Sequence, residues 1–148
     1  MIIGQYQAKL TEKERISLPA KFRREIGNKL IIAKWYEGCL VLVSQEKWDE
    51  LLNKLTGKSE IISKPIRNTD RFILGSGFEV KVDLHGRFVI PKILKEYAHL
   101  TKEVVFVGLG DRVEVWDKGN WRKVEKEVQA KASEMIEKIA NERSKSNA

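Results

Sequence analysis

Apolar and polar residues alternate along "FEVKV" at 78–82, as they do on a strand with one face against a core. "DLHG" follows at 83–86, with Asp to open a turn and Gly to close it. "RFVI" then predicts a returning strand. Pro91 suits the first turn of a helix, where its missing N–H goes unused. Leu94 and Ala98 share one face of that helix. "EVVFVGLGDRVEVW", from Glu103 to Trp116, predicts a hairpin turning through Gly108–Asp111. The same order occurs earlier in the chain: a strand at "YQAKL", a turn at Thr11–Glu14, a strand at "RISL", and Pro19 before a helix carrying Phe22 and Ile26. A hairpin follows in "LIIAKWYEGCLVLV", turning near Trp35–Gly38. Ser44 and Asp117 are placed to cap the helix that ends each series.

The last helix is longer than its counterpart. Trp121, Val124, Val128, Ala132, Met135, Ile136 and Ile139 form an apolar stripe, which needs a covering surface on its own chain or on a neighbour. The closing "NERSKSNA" predicts a frayed polar end.

These two series are a repeat. "YQAKLTEKERISLPAKFRREI" aligns without gaps to "FEVKVDLHGRFVIPKILKEYA" at an offset of 72 residues, which superimposes Arg15 on Arg87 and Pro19 on Pro91. After one inserted residue, "LIIAK" is set against "EVVFV", and "LVLVSQEKW" against "VEVWDKGNW", at an offset of 73. A unit of about 50 residues buries too little surface to be stable alone. Two copies can complete each other's sheet around a pseudo-twofold core. The expected organisation is a first half at 1–56, a connecting segment at 57–77, a second half at 78–128, and a helical extension with a tail at 129–148.

Strand alternation places Ile16, Leu18, Phe88 and Ile90 on one face, and Arg15, Ser17, Arg87 and Val89 on the other. The apolar set seeks the core, so both arginines project away from it, each beside a turn.

Composition narrows the function. The chain has 148 residues and a net charge of +7, a balance that attracts polyanions such as DNA. Residues 1–74 hold 14 Lys and Arg against 9 Asp and Glu, and residues 75–148 hold 14 against 12, so the excess is larger in the first half. There Lys13, Lys21 and Arg23 are candidates for phosphate contacts, which set affinity and register without reading sequence. Cys39 is the only cysteine and there are two histidines, which gives no intrachain disulfide and no metal-ligand set. A reducing cytoplasm fits. No apolar run approaches the roughly 20 residues of a membrane-spanning helix, and "MIIGQYQAKL" lacks the pattern of a secretory signal. "GLGD" at 108–111 lacks the glycine spacing and Lys-Ser/Thr of a phosphate loop, and no nucleophile elbow is present. Neither an enzyme, nor a cofactor, nor a small-molecule substrate is expected.

The doubled unit resembles the MraZ family, whose members carry two SpoVT/AbrB-like half-domains in one chain. The family's signature is a repeated Asp-x-x-Gly-Arg followed by hydrophobic residues and Pro. The second copy matches it through Asp83, Gly86, Arg87 and Pro91, while the first has Thr11 and Glu14 in place of Asp and Gly. "DRFILGSG" at 70–77 is similar to the family's joining segment. The resemblance implies a β-rich α+β fold, a pseudo-twofold double-split β-barrel with flanking helices. It also implies a cytoplasmic, nucleoid-associated transcriptional regulator. Ring-shaped homo-oligomers would read short repeated boxes in double-stranded DNA upstream of the division and cell-wall gene cluster. Arg15 and Arg87 would read bases, with Asp83 bracing the Arg87 fork. Glu14 pays a steric cost wherever Gly adopts positive φ, so the first turn is expected to differ in shape. Two alternatives stay open: an antitoxin-like or transition-state regulator of the AbrB type, and a ring-forming scaffold that does not bind DNA.

Overall fold

The computed structural model describes residues 1–57 and 63–146. Positions 58–62 of the expected connecting segment and 147–148 of the expected tail lie outside the described residues. The first copy supplies β1 (Ile2–Lys9), β2 (Arg15–Ser17), α1 (Ala20–Ile26), β3 (Lys29–Lys34), β4 (Leu40–Ser44) and α2 (Trp48–Thr56). After α3 (Lys64–Ile73), the second supplies β5 (Phe78–Lys81), β6 (Arg87–Val89), α4 (Lys92–Tyr97), β7 (Glu103–Gly110), β8 (Val113–Asp117) and α5 (Lys118–Ser146). Helix α3 is not foreseen from the sequence. Ser63 caps it by accepting the Ile66 N–H. Just beyond α3, buried Ser76 ties the segment to β3 by accepting the Lys34 N–H at 3.0 Å.

The strands form an antiparallel sheet ordered β1-β7-β8-β4-β3-β5 and a separate two-stranded ribbon, β2-β6. Exchanging each strand for its repeat partner leaves both orders unchanged. Each copy's first strand pairs with the other copy's third: β1 with β7, and β5 with β3. Strands β4 and β8 pair across the centre, as do β2 and β6. The copies are interleaved rather than juxtaposed, and residues Met1–Lys118 form one compact unit. The strand pairings describe an open six-stranded sheet with β1 and β5 at its edges; no closed barrel is found among the described residues.

Equivalent residues from both copies fill one core. Ile16, Phe22, Leu30 and Ile32 meet Phe88, Leu94, Val104 and Phe106. Tyr6 packs edge-on against Phe22, with ring centroids 5.0 Å apart. At Gly108 an added Cβ would lie 2.8 Å from Phe22 Cε1 and 2.9 Å from the backbone of Ile2, so only glycine lets β1, β7 and α1 approach this closely.

The structure corrects the repeat alignment in the third strand. Lys9 faces Glu103 in one copy, and Lys81 faces Lys29 in the other, so β3 maps onto β7 at an offset of 74 rather than 73. The extra residues fall between α4 and β7. Strand alternation explains why the slip matters: one residue inverts the faces. At 74, core Leu30 and Ile32 superimpose on core Val104 and Phe106. The second hairpin turns at Gly110–Asp111, within the expected Gly108–Asp111, with Leu109 N–H donating to the Arg112 carbonyl at 2.9 Å.

Helix α5 spans 29 residues, about 44 Å at 1.5 Å per residue. None of its residues is buried, and Val128, Met135, Ile136 and Ile139 are exposed. The expected frayed end from Asn141 is instead helical through Ser146, whose hydroxyl donates to the Glu142 carbonyl at 3.1 Å. The Glu, Arg and Lys in this stretch are good helix formers.

Candidate nucleic-acid interface

The β2–β6 ribbon pairs Arg15 with Val89, Ile16 with Phe88, and Ser17 with Arg87. Ile16 and Phe88 point into the core at 1% and 2% exposure. Arg15, Ser17, Arg87 and Val89 therefore share the opposite face, as strand alternation predicts. The arginines are diagonal neighbours across the ribbon, a relation that sets residues roughly 7–8 Å apart.

A turn precedes each arginine, and the two turns have the same bonding. Gly86 N–H donates to the Asp83 carbonyl at 3.0 Å, and Glu14 N–H donates to the Thr11 carbonyl at 3.0 Å. Gly86 has φ 78° and Glu14 has φ 64°. The expected difference in shape is not found: Glu14 adopts the left-handed conformation despite its side chain. The two turns also clasp each other. Leu18 N–H donates to the Gly86 carbonyl, and Ile90 N–H to the Glu14 carbonyl, both at 2.9 Å.

Thr11 does much of what Asp83 does. Asp83 Oδ1 accepts the N–H groups of His85 at 2.8 Å and Arg87 at 3.0 Å. Thr11 Oγ1 accepts the Arg15 N–H at 3.1 Å. Only Asp83 adds charge, with Oδ2 3.6 Å from Arg87 Nε. That distance is an ion pair rather than a hydrogen bond, so Asp83 orders the base of the guanidinium and leaves its outer nitrogens available. The Asp83 carboxyl is held below its ordinary range, chiefly by the Arg87 N–H, then by the His85 N–H and the Arg87 charge. A depressed carboxyl stabilises the fold above its unfolded pKa of about 3.9, and that contribution is lost only as pH falls through the folded value. At neutral pH the turn is fully braced. Among the described residues, no acidic side chain pairs with Arg15.

The supporting basic residues divide unevenly. Lys13 is exposed in the first turn, and Lys21 is exposed on α1. Arg23 is only part-exposed and reaches the other copy, where its guanidinium covers Gly86; a Cβ there would collide with it. The position of Arg23 in the repeat is taken by Lys95 in α4, and that of Gly86 by Glu14. Lys95 Nζ lies 3.1 Å from both carboxylate oxygens of Glu14. Each turn is thus backed by a cation from the other copy's helix, over glycine in one case and against a carboxylate in the other. Sequence reasoning missed Lys95. The repeat alignment held the signal, since it pairs a basic residue at 23 and 95 with the exchange of Gly for Glu.

This bracing predicts opposite responses to reciprocal changes. Glu14→Gly removes a left-handed strain of about 1–2 kcal/mol and loses a partly exposed ion pair worth about 0.2–1 kcal/mol. The variant should gain up to about 1 kcal/mol of stability in urea unfolding. Gly86→Glu adds the strain and displaces Arg23, and should lose about 1–2 kcal/mol or more. Equal changes in the two variants would contradict this account of the turns.

Comparison with known proteins agrees with the repeat. The family model described as MraZ protein, antitoxin-like, matches residues 1–72 and again 73–143. The protein named Transcriptional regulator MraZ of Caldanaerobacter subterraneus subsp. tengcongensis is 36% identical over 141 residues, covering 95% of this chain and 98% of that protein. Its namesake in Oenococcus oeni is 37% identical, covering 96% of each. That of Acetivibrio thermocellus is 39% identical, covering 95% of this chain and 97% of the relative. A solved structure, the solution structure of PHS018 from Pyrococcus horikoshii, covers 78% of this chain and 88% of its own at 15% identity, with a TM-score of 0.33 too low to carry an argument. With two tandem matches to one family model and relatives 36–39% identical over 95% or more of this chain, the chain belongs to the MraZ family.

Proposed function

We propose that the chain is a sequence-specific DNA-binding transcriptional regulator whose reading surface is the outer face of the β2–β6 ribbon. The observation that carries this is the placement of Arg15 and Arg87 together on that face, with Ile16 and Phe88 anchoring its reverse. A two-stranded ribbon fits the major groove of B-DNA, where an arginine can donate two hydrogen bonds to guanine O6 and N7. Lys13, Lys21 and Arg23 hold phosphates, and the net charge of +7 supplies long-range attraction. The six-stranded sheet and the two-stranded ribbon, each built from both copies, support the double-split arrangement of the family. The targets are short repeated boxes upstream of the division and cell-wall gene cluster, bound in the cytoplasm at the nucleoid. The printed names of the relatives, Transcriptional regulator MraZ, support a regulator's role.

Arg87 carries more of the sequence preference than Arg15. Its base is already ordered by Asp83, so less side-chain freedom is lost on binding. On one operator at one salt concentration, Arg87→Ala should cost about 1–3 kcal/mol of specific affinity and leave binding to random duplex nearly unchanged. Arg15→Ala should cost less. An equal fall on operator and random DNA would make Arg87 a phosphate contact only.

Several copies act together, as a closed homo-oligomer. Two arginines read few bases, and linked copies on repeated boxes gain from high effective concentration. A head-to-tail contact of this kind closes into a ring when its rotation allows. The uncovered stripe of α5 from Val128 to Ile139 is a candidate joint. Light scattering after size exclusion should give a mass several times 17.1 kDa, and Ile136→Glu should lower it without unfolding the chain. A monomer at low-micromolar concentration would defeat the ring.

A further inference from the structure

The face that carries the two arginines is not chemically symmetric. Arg15 is paired across the ribbon with Val89, and Arg87 with Ser17. Val89 and Ser17 occupy equivalent positions in the repeat, so the pseudo-twofold sets a branched hydrocarbon beside one arginine and a hydroxyl beside the other. Val89 is 46% exposed, although the apolar residues before and after it, Phe88 and Ile90, are 2% and 0% exposed. It lies directly opposite Arg15, with β-carbons about 4.5–5.5 Å apart, and two residues from Arg87 on its own strand. An arginine cannot read guanine in the major groove without carrying this side chain in with it.

We propose that Val89 is a specificity-determining residue that packs against the 5-methyl group of a thymine next to the guanine read by Arg15; this rests on the ribbon being the DNA-reading face. Of the base-edge groups in the major groove, the thymine methyl is the apolar one. A valine there gains contact with a methyl and leaves a cytosine amino group or an adenine amino group against hydrocarbon, without an acceptor. Ser17, at the matching place beside Arg87, can donate to or accept from any base edge and makes no such demand. The box is therefore read in one direction: a methyl-sensitive position lies on the Arg15 side and none on the Arg87 side.

The test uses a duplex selected by the protein from a random-sequence library, then resynthesised with deoxyuridine replacing one thymidine at a time. Uracil keeps every hydrogen-bonding group of thymine and lacks only the methyl. One replacement should weaken binding of the unaltered protein by about fourfold, the scale of one buried methyl, and the others should have little effect. With Val89→Ser the same replacement should have no effect. In the exchange variant Ser17→Val with Val89→Ser, the sensitive position should move to the other side of the box. Both positions are solvent-facing on the ribbon, so circular dichroism and oligomeric mass should stay unchanged. Specific binding with no uracil-sensitive position, or sensitivity that survives Val89→Ser, would overturn the assignment of Val89 while leaving the ribbon as the reading face. A fall in oligomeric mass on Val89→Ser would overturn it too, by placing Val89 at a subunit contact. Failure to select any duplex above background would remove the DNA-reading face itself, and the Val89 contact with it.

Discussion

Two crossed hydrogen bonds hold the working surface together. The carbonyl of each left-handed residue, Gly86 in one turn and Glu14 in the other, accepts an N–H from the opposite copy, from Leu18 and Ile90 respectively. Neither turn can therefore be completed without the other copy. The larger sheet follows the same rule, since β1 finds its partner in β7 and β5 finds its partner in β3. Interleaving solves the problem of a unit too small to bury a core alone. It also fixes the register between the two arginines, because a one-residue slip of β2 against β6 would turn Ile16 out of the core and Arg15 into it.

From this clasp comes a surface with nearly twofold backbone and unequal side chains. Thr11 reproduces the backbone acceptor of Asp83 but not its charge. Glu14 accepts the strain that Gly86 avoids and is met by Lys95, where Gly86 is met by Arg23. The first motif is thus rewired rather than degraded. What differs between the copies is the chemistry presented to a ligand: an exposed arginine beside valine, and a carboxylate-braced arginine beside serine. Duplication supplies the frame, and divergence within it supplies direction.

Much of this was legible in the sequence. The gapless offset from Tyr6 to Ile26 exposed the repeat, and strand alternation placed Arg15 and Arg87 on one face with Ile16 and Phe88 on the other. Other features were not legible, and three of them have a clear physical reason. The third strands slip by one further residue, because the apolar runs "LIIA" and "VVFV" within them are unbroken and such a run has no period to fix its register. The shape of the Glu14 turn was misjudged because a steric cost of about 1–2 kcal/mol decides nothing once two tertiary hydrogen bonds and an ion pair hold the backbone in place. Lys95 was missed because its partner lies 81 residues away, and no local pattern signals a contact at that range.

The claim at the centre is that the outer face of the β2–β6 ribbon lies against base edges. Cys39 makes a direct measurement practical: it is the only cysteine, it is fully buried, and burial among Glu114 and Glu37 pushes its thiol well above the ordinary range, so it does not compete for labelling. A photo-crosslinker can be attached at Ser17→Cys on the ribbon and, separately, at Asn53→Cys on the exposed side of α2. On the selected duplex, Ser17→Cys should crosslink to bases inside the box at defined positions, and Asn53→Cys should give only background. Base crosslinks from Asn53→Cys with none from Ser17→Cys would contradict the account and move the reading surface to another face of the protein.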